Sequence, residues 1–477
     1  MKNGYEMTFR STFVVIGGGI AGVTCAETIS ILCSNESIIL ITETTLLKAV
    51  TNLEPMTKCL FKFHIEEREV KNLTNMFSPT VTVIVDTLLS IDSVSRRIYT
   101  TGNRVISYNY VCICTGGRPN MIQFNNNRVI GIRDTDSLLH LLDCIKFSRK
   151  LVLVGNGGIA SELAYAIKNI EMHWVIKDYH ISSTFLDPGA AEFFQQILKS
   201  PKKPAGMEPK KCLRFDAICP NESLSARKQG AAMGPDWKKV VDSCGPTDVE
   251  SSIKMHYNAE ITSLEVPSDS QNEFPLLVSL STKEVIKCDF VVSATGVYPR
   301  MDFGFNEKLK LSDDGFIFIN SLMETNINGV YAAGDVCSAG WNFSENWFQK
   351  RLWTQARQMG DMAGRSMVAA HKKEKIYQDF CFEIFGHATT LFGFDVVLLG
   401  CFNGQKLGET YEILFRSTPG NEYIKFVLYH GRLRGAILIG NTELAETCEN
   451  LILNGFDLSE FGDDILNPNI DIEDFFD

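Results

Sequence analysis

The chain has 477 residues, 45% hydrophobic and 22% charged, the balance of a soluble globular protein and enough length for roughly three domains. Its net charge of −11 is localised: Glu443 to Asp477 holds 11 acidic and no basic residues, which leaves 46 of each elsewhere and argues against a general nucleic-acid-binding surface. No run approaches the roughly 18–20 apolar residues of a membrane span, Met1 to Arg10 lacks the apolar core of a secretory signal, and the 14 cysteines include no Cys-x-x-Cys pair, so reduced thiols on the cytosolic or nuclear side, no structural metal and no thioredoxin-type pair are expected.

In chain order, Phe13 to Ile16 reads as a buried parallel strand that turns through Gly17-x-Gly19-x-x-Gly22 into a helix with Ala21, Cys25 and Ile29 on one face. Gly17 suits the tight turn, Gly19 the close approach of a pyrophosphate, and Gly22 the packing of helix on strand. The anion would rest on the free amides of that helix. A second strand, Ser37 to Thr42, ends at Glu43, where a ribose-binding acid is expected. Thr44 to Asn52 reads as a loop of undefined structure and Lys58 to Asn75 as a charged helix. Strands follow at Val81 to Val85, Arg97 to Thr100 and Tyr108 to Thr115, the last running into Thr115-Gly116-Gly-Arg-Pro119.

The opening pattern then recurs. Lys150 to Val154, Gly155-x-Gly157-x-x-Ala160 and the helix through Ala164 form a second strand, turn and helix, with another strand at His173 to Ile176. The next residue is Lys177, where an acid would select NAD; a lysine would tolerate a 2′-phosphate. From about Lys199 to His256 no apolar period survives, and 11 basic residues face 7 acidic ones. That stretch reads as a surface insertion, with Lys202, Lys203, Lys210 and Lys211 as contacts if it docks a partner or targets the nucleus. Strands resume at Glu260 to Val266, Leu276 to Leu280 and Cys288 to Ala294, the last ending in Thr295-Gly296, a copy of Thr115-Gly116. A strand of small residues reaches Gly334-Asp335 and precedes a helix carrying Arg351 to Gly360. Beyond Tyr377, four antiparallel strands and an acidic helix at Thr442 to Leu453 are expected.

Two glycine turns, two Thr-Gly returns and a late Gly-Asp together resemble the pyridine nucleotide-disulfide oxidoreductase family of flavoproteins. The resemblance covers about Phe13 to Ala370. It implies an α/β fold of two interleaved Rossmann-like domains plus a C-terminal α+β domain. The first, at 1–118 and 297–375, would bind FAD; the second, at 119–296 with its insertion, would bind NAD(P)H; the third would span 376–477. The implied cofactor-binding set in the first unit is Gly17, Gly19, Ile20, Ala21, Gly22, Thr42, Glu43, Lys48, Thr115, Gly116, Gly334, Asp335 and Ala356. In the second it is Gly155, Gly157, Ile159, Ala160, Glu162, Lys177, Thr295 and Gly296. Asp335 would bond the FAD ribityl chain, and the helix after it would direct its amides at the flavin pyrimidine.

A narrower likeness to eukaryotic members rests on Ala21 to Glu27, Lys48 to Asn52, Gly131 to Ser137, Gly234 to Trp237, Arg351 to Gly360 and Asn467 to Asp474. It implies a nuclear and cytoplasmic protein associated with the tRNA-splicing ligase machinery and with protection from oxidation. One departure matters for chemistry. The family's redox cysteines should follow the ribose acid, but that stretch holds Lys48 to Asn52 and only Cys59 beyond it, and thiol exchange needs a positioned thiolate with a resolving partner. Cys112 and Cys114 read as buried packing, and Cys337 and His387 are weak catalytic candidates. Trp341, Trp347 and Trp353 should pack the core or cover the flavin edge. The expected activity is an FAD-dependent NAD(P)H oxidoreductase without a redox-active disulfide; the alternative is a flavin-based redox sensor with little turnover.

Overall fold

A computed structural model describes residues 7–71, 80–122, 124, 126–132, 135–199, 252–267, 273–341, 344–408 and 410–467. Met7–Ile16 forms β1, Ile20–Leu32 forms α1 and Ile38–Thr42 forms β2, and β1 pairs in parallel with β2 from Phe13↔Ile38 to Ile16↔Ile41. Phe13 to Ile16 are buried, each such side chain contributing about 1.5–3 kcal/mol by leaving water. The helix is buried on almost every side, not on the one face expected from Ala21, Cys25 and Ile29.

Residues 46–69 depart most from expectation. Leu46–Pro55 (β3) and Phe61–Glu69 (β4) form an antiparallel hairpin, with Leu46 opposite Glu69 and Val50 opposite Ile65. The charges in Lys58 to Asn75 mimic a helix surface, but Phe61, Phe63 and Ile65 repeat every second residue and share one face of a strand. Residues 72–75 of the expected helix lie outside the described residues. Val81–Val85 (β5), Leu88–Asp92 (β6), Arg97–Thr100 (β7) and Arg104–Ile113 (β8) extend the first sheet, in which β8, β1, β2 and β5 run parallel side by side.

The chain leaves this unit through Gly117–Pro119 (β9). Val129–Gly131 (β10), Thr135–Ile145 (α2), Lys150–Val154 (β11), Gly158–Ala166 (α3), Glu171–Val175 (β12), Pro188–Lys199 (α4) and Ser252–His256 (β13) build the second unit. The expected insertion therefore ends sooner than the composition suggests. Residues 200–251 lie outside the described residues, whereas 252–256 add an edge strand whose partner, β12, supplies the order that a five-residue strand cannot show alone. Ile261–Glu265 (β14), Leu276–Leu280 (β15) and Val285–Cys288 (β16) form a small antiparallel sheet over one face. Phe290–Ser293 (β17) joins the parallel sheet between β10 and β11, and Val297–Pro299 (β18) returns the chain by pairing antiparallel with β9.

Gly304–Phe305 (β19) and Ile317–Ile319 (β20) follow, Val330–Ala332 (β21) pairs with β8, and Cys337–Ala339 (β22) pairs with β20. Trp353–Lys372 (α5) lies on α1. The two helices cross closely because α5 carries glycines at the contact: a Cβ on Gly360 would lie 2.3 Å from Ala21 O. Last comes an antiparallel sheet of Gly386–Leu391 (β23), Phe394–Gly400 (β24), Glu412–Thr418 (β25), Glu422–Tyr429 (β26) and Arg432–Ile439 (β27), with Ala445–Asn454 (α6) behind it. Four of these strands match expectation; β23 is additional, its Gly, His and Thr residues masking its alternation. Val397, Leu399 and Leu438 pack on the α6 side, while Val396, Leu398 and Ile439 pack on the second unit.

Candidate nucleotide-binding sites

The two glycine turns are built alike. Gly17 has φ 128° and Gly155 φ 129°, a backbone that L side chains rarely adopt. A Cβ on Gly17 would lie 2.1 Å from Cys114 O, and one on Gly155 the same 2.1 Å from Ala294 O. Each turn thus fits against the end of the strand that leads to a Thr-Gly return. At Gly22 a Cβ would meet Gly17 O at 2.0 Å; in the second unit Ala160 fits at the corresponding place, fully buried.

Space opens where a nucleotide would lie. A Cβ on Gly19, Gly116, Gly157 or Gly296 would meet nothing within 4 Å. The N-caps of α1 and α3 are Gly19 and Gly157, with no side-chain cap and no acid in either first turn. Those amides are left for an anion, so the residues present fit two dinucleotides.

A cavity of about 300 Å³ occupies the first site. Gly17, Gly19, Ile20 and Ala21 form its floor, Thr42, Glu43 and Lys48 one wall, and Thr115, Gly116, Gly334 and Asp335 another. Trp353 and Ala356 line its end, so the uncapped first turn of α5 opens onto it. Gly22 lies behind the floor. Lys48 N donates to Gly18 O at 3.0 Å, and its Nζ stands 3.8 Å from Glu67 and 5.9 Å from the centre of the Trp353 ring. The strand β3, unforeseen in the sequence, is what presents Lys48 to the cavity.

Several contributors were not anticipated. Arg300 pairs with Glu43, and Arg118 with Asp302 at 2.6 Å, across the cavity mouth. Asp86 also lines the cavity; burial alone would raise its pKa, but hydrogen bonds from Thr100, Arg104, Thr87 and Gly102 outweigh that and bring it to about 2. The signal for Arg300 is its place beside Pro299, just past the Gly296 return.

In the second unit, Ile159 and Glu162 lie on α3, Ile159 partly and Glu162 almost fully buried. Lys177 follows β12 as Glu43 follows β2, but its exposed ammonium is already paired with Glu260 at 2.9 Å. The neighbouring Asp178 is the carboxylate directed at the turn. It accepts bonds from Asn156 Nδ2 at 2.7 Å and Ser183 Oγ at 2.6 Å, and those bonds hold its pKa low.

The returns tie the two connecting segments to each other. Thr115 Oγ1 donates to Arg300 O at 2.8 Å, and Thr295 Oγ1 to Asn120 O at 2.7 Å.

The weak catalytic candidates occupy packed positions. Cys337 Sγ donates to Gly334 O at 3.1 Å, and burial pushes its thiol well above the usual range. Buried His387 meets Thr354 Oγ1 through Nδ1 at 3.2 Å and stacks on Phe185; burial, helped by the nearby Lys350 charge, lowers its pKa to about 4. Cys112 and Cys114 are free thiols with their sulfurs 3.5 Å apart. Cys59 sits in the turn before β4, not on a helix. Burial and the Glu449 carboxylate push its thiol up to about 12. Trp341 and Trp347 pack with Phe382, leaving Trp353 at the cavity.

Two strapped dinucleotide turns, one opening on a cavity closed by a Gly-Asp turn and a helix end, define a two-nucleotide flavoprotein oxidoreductase. Residues 11–202 and 248–360 match the family described as pyridine nucleotide-disulphide oxidoreductase, and 388–456 match the rubredoxin NAD+ reductase C-terminal domain. The chain belongs to the pyridine nucleotide-disulphide oxidoreductase family, and its cofactors are FAD and NAD(P)H. Among its relatives is the pyridine nucleotide-disulfide oxidoreductase domain-containing protein 1 of Drosophila melanogaster, 50% identical over 99% of this chain and 100% of the relative. The Homo sapiens protein of that name is 40% identical over 98% of each chain. That group is the narrower likeness anticipated from the sequence. In fold the chain is similar to a ferredoxin reductase from Rhodopseudomonas palustris, with TM-score 0.68 at 17% identity over 98% of this chain and 99% of that one. It is similar too to a water-forming NADH oxidase from Lactobacillus brevis, with TM-score 0.66 at 13% identity over 97% and 95%.

Proposed function

We propose that this chain passes a hydride from NAD(P)H, held on the second glycine turn, to FAD held in the first cavity, without a redox-active disulfide. The observation that carries the reading is the matched pair of turns with open space at Gly19, Gly116, Gly157 and Gly296. The bound pair supplies the redox chemistry; the protein supplies position and charge. Gly17 to Gly22 and Gly155 to Ala160 seat the pyrophosphates on helix ends, Glu43 meets the ribose, and Asp335 fixes the ribityl chain. The open first turn of α5 favours electron density at the cavity end it faces. A thiol relay is not part of the reading: among the described residues the cavity touches Cys114 alone of the thiols, and that one is buried.

The same lack of a thiol acceptor favours a second reading, a flavin-based redox sensor whose nucleotide-bound state docks a partner and turns over little. Anaerobic mixing of the yellow protein with NADPH, followed by air, separates them. Sustained NADPH loss with an added acceptor supports the oxidoreductase, and one equivalent consumed with a long-lived bleached complex supports the sensor. Absence of both flavin and bleaching would sink both. Association with the tRNA-splicing ligase machinery, protection of that machinery from oxidation, and residence in nucleus and cytoplasm are parts of the proposal supported by the resemblance alone. Recovery of the ligase with tagged protein from each compartment is their test.

A further inference from the structure

The junction between the two nucleotide sites contains a cation, Lys350, that no carboxylate among the described residues pairs with. Lys350 enters α5 with its backbone N–H bonded to Gln355 Oε1 at 2.6 Å, and Gln355 in turn donates to Phe348 O at 2.9 Å. Lys350 does not line the first cavity. Its Nζ donates to Thr184 O at 2.8 Å and lies 5.7 Å from the centre of the Phe185 ring. Thr184 Oγ1 reaches Asn156 O inside the second glycine turn, and Phe185 lies 3.3 Å from where a Cβ on Gly158 would be. Lys350 is therefore held against the loop that covers the start of α3.

Asp178 directs its carboxylate at the same turn but is taken up by Asn156 and Ser183, not by Lys350. Among the described residues no carboxylate lies within 4.0 Å of Lys350 Nζ, and its ammonium donates to a neutral carbonyl. The residue is half-buried, and burial holds its pKa below the ordinary lysine value. Its neighbour His387 stays neutral, and α3 has no acid in its first turn. A partly desolvated ammonium left unpaired is costly, and here it adds to the positive end of a helix.

We propose that Lys350 is the positioning cation for the pyrophosphate of the nicotinamide dinucleotide, reaching across from the flavin-side helix to the second turn. The assignment rests on the function proposed above. It makes binding of the reduced nucleotide depend on a residue outside the second unit. The two sites are thereby coupled through one side chain.

The test compares Lys350→Gln, whose amide can still donate to Thr184 O, with Lys350→Arg, in the flavin-loaded protein. Affinities for NAD+ and for NADP+ are read by calorimetric titration, beside KM and kcat for both reduced forms. Lys350→Gln should weaken NAD+ and NADP+ alike by about tenfold and raise KM more than it lowers kcat, while Lys350→Arg recovers most of the loss. A loss confined to NADP+ would overturn the assignment to the pyrophosphate, as would unchanged affinity for both. If Lys350→Gln instead lowers the melting temperature and both variants bind normally at low temperature, the residue is a structural clamp and the inference fails. Failure of the wild-type protein to bind either nucleotide would instead defeat the function on which the inference rests.

Discussion

Thr115 and Arg300 hold each other across the passage between the two nucleotide units. Thr115 Oγ1 donates to Arg300 O at 2.8 Å, and the backbone N–H of Arg300 donates to Gly116 O at 3.0 Å. Thr295 and Asn120 repeat the arrangement: Thr295 Oγ1 to Asn120 O is 2.7 Å and Asn120 N to Gly296 O is 2.8 Å. Each return is thus fixed to the segment that follows the other, and β9 pairs with β18 between them.

Arg300 also carries that strap to Glu43. Both side chains are more than a third exposed, so their ion pair contributes at most about 1 kcal/mol to folding. Arg300→Met should leave the melting temperature nearly unchanged. It should nevertheless lower the flavin retained after dialysis several-fold, because Glu43 loses the partner that sets its direction. Equal flavin content in mutant and parent would count against the role assigned to the pair.

The glycines separate into two kinds. Gly155→Ala drives a methyl into Ala294 O at 2.1 Å on a backbone with φ 129°, so it should destabilise the second unit by several kcal/mol, on the order of an overpacked and strained site. A Cβ on Gly157 would meet nothing within 4 Å, so Gly157→Val places its branch in the open space of the turn. It should fold normally, keep its flavin, and weaken NADPH binding about tenfold or more by occupying nucleotide space. Circular dichroism and an anaerobic NADPH titration read the two effects apart.

Acid should expose His387. Burial lowers its folded pKa to about 4 from an ordinary value of 6.5, so below pH 6.5 the unfolded chain takes up a proton that the folded protein refuses. Stability is unaffected above 6.5, falls as pH drops from 6.5 towards 4, and levels off below, a loss of about 3 kcal/mol. His387→Asn should flatten that part of the profile of urea midpoints against pH. A profile as steep as the parent's would assign the slope elsewhere.

The C-terminal sheet is locked to the second unit by a buried ion pair. Lys425 is 1% exposed and bonds Asp187 at 2.6 Å and Asn403 Oδ1 at 2.8 Å. Asp187→Asn strands the ammonium and should cost about 3 kcal/mol or more. Adding Lys425→Met should recover most of that loss. Additive losses in the double variant would show that the pair is not the lock.

The approach of Lys48 was hidden in the sequence for a definable reason. Residues 44–52 have mixed composition, and the strand character of Leu46–Pro55 comes from pairing with β4, Phe61–Glu69, across the intervening turn. A helix was expected for that partner because charges outnumber apolar residues in it, although Phe61, Phe63 and Ile65 alternate. The carboxylate at the second turn was missed by one position, since Lys177 meets Glu260 and Asp178 meets Asn156.

The amino-acid order alone determined both turns, both Thr-Gly returns and the Gly-Asp element, because each is enforced by local backbone geometry that only glycine or a small residue permits. Folding in three dimensions decided which distant groups meet: Arg300 with Glu43, Lys350 with Thr184, Lys425 with Asp187, and the hairpin that brings Lys48 to the cavity. Those contacts join segments with no local signature, and only the packing of the units brings them together; for Lys425 and Asp187 it also removes the water around the pair.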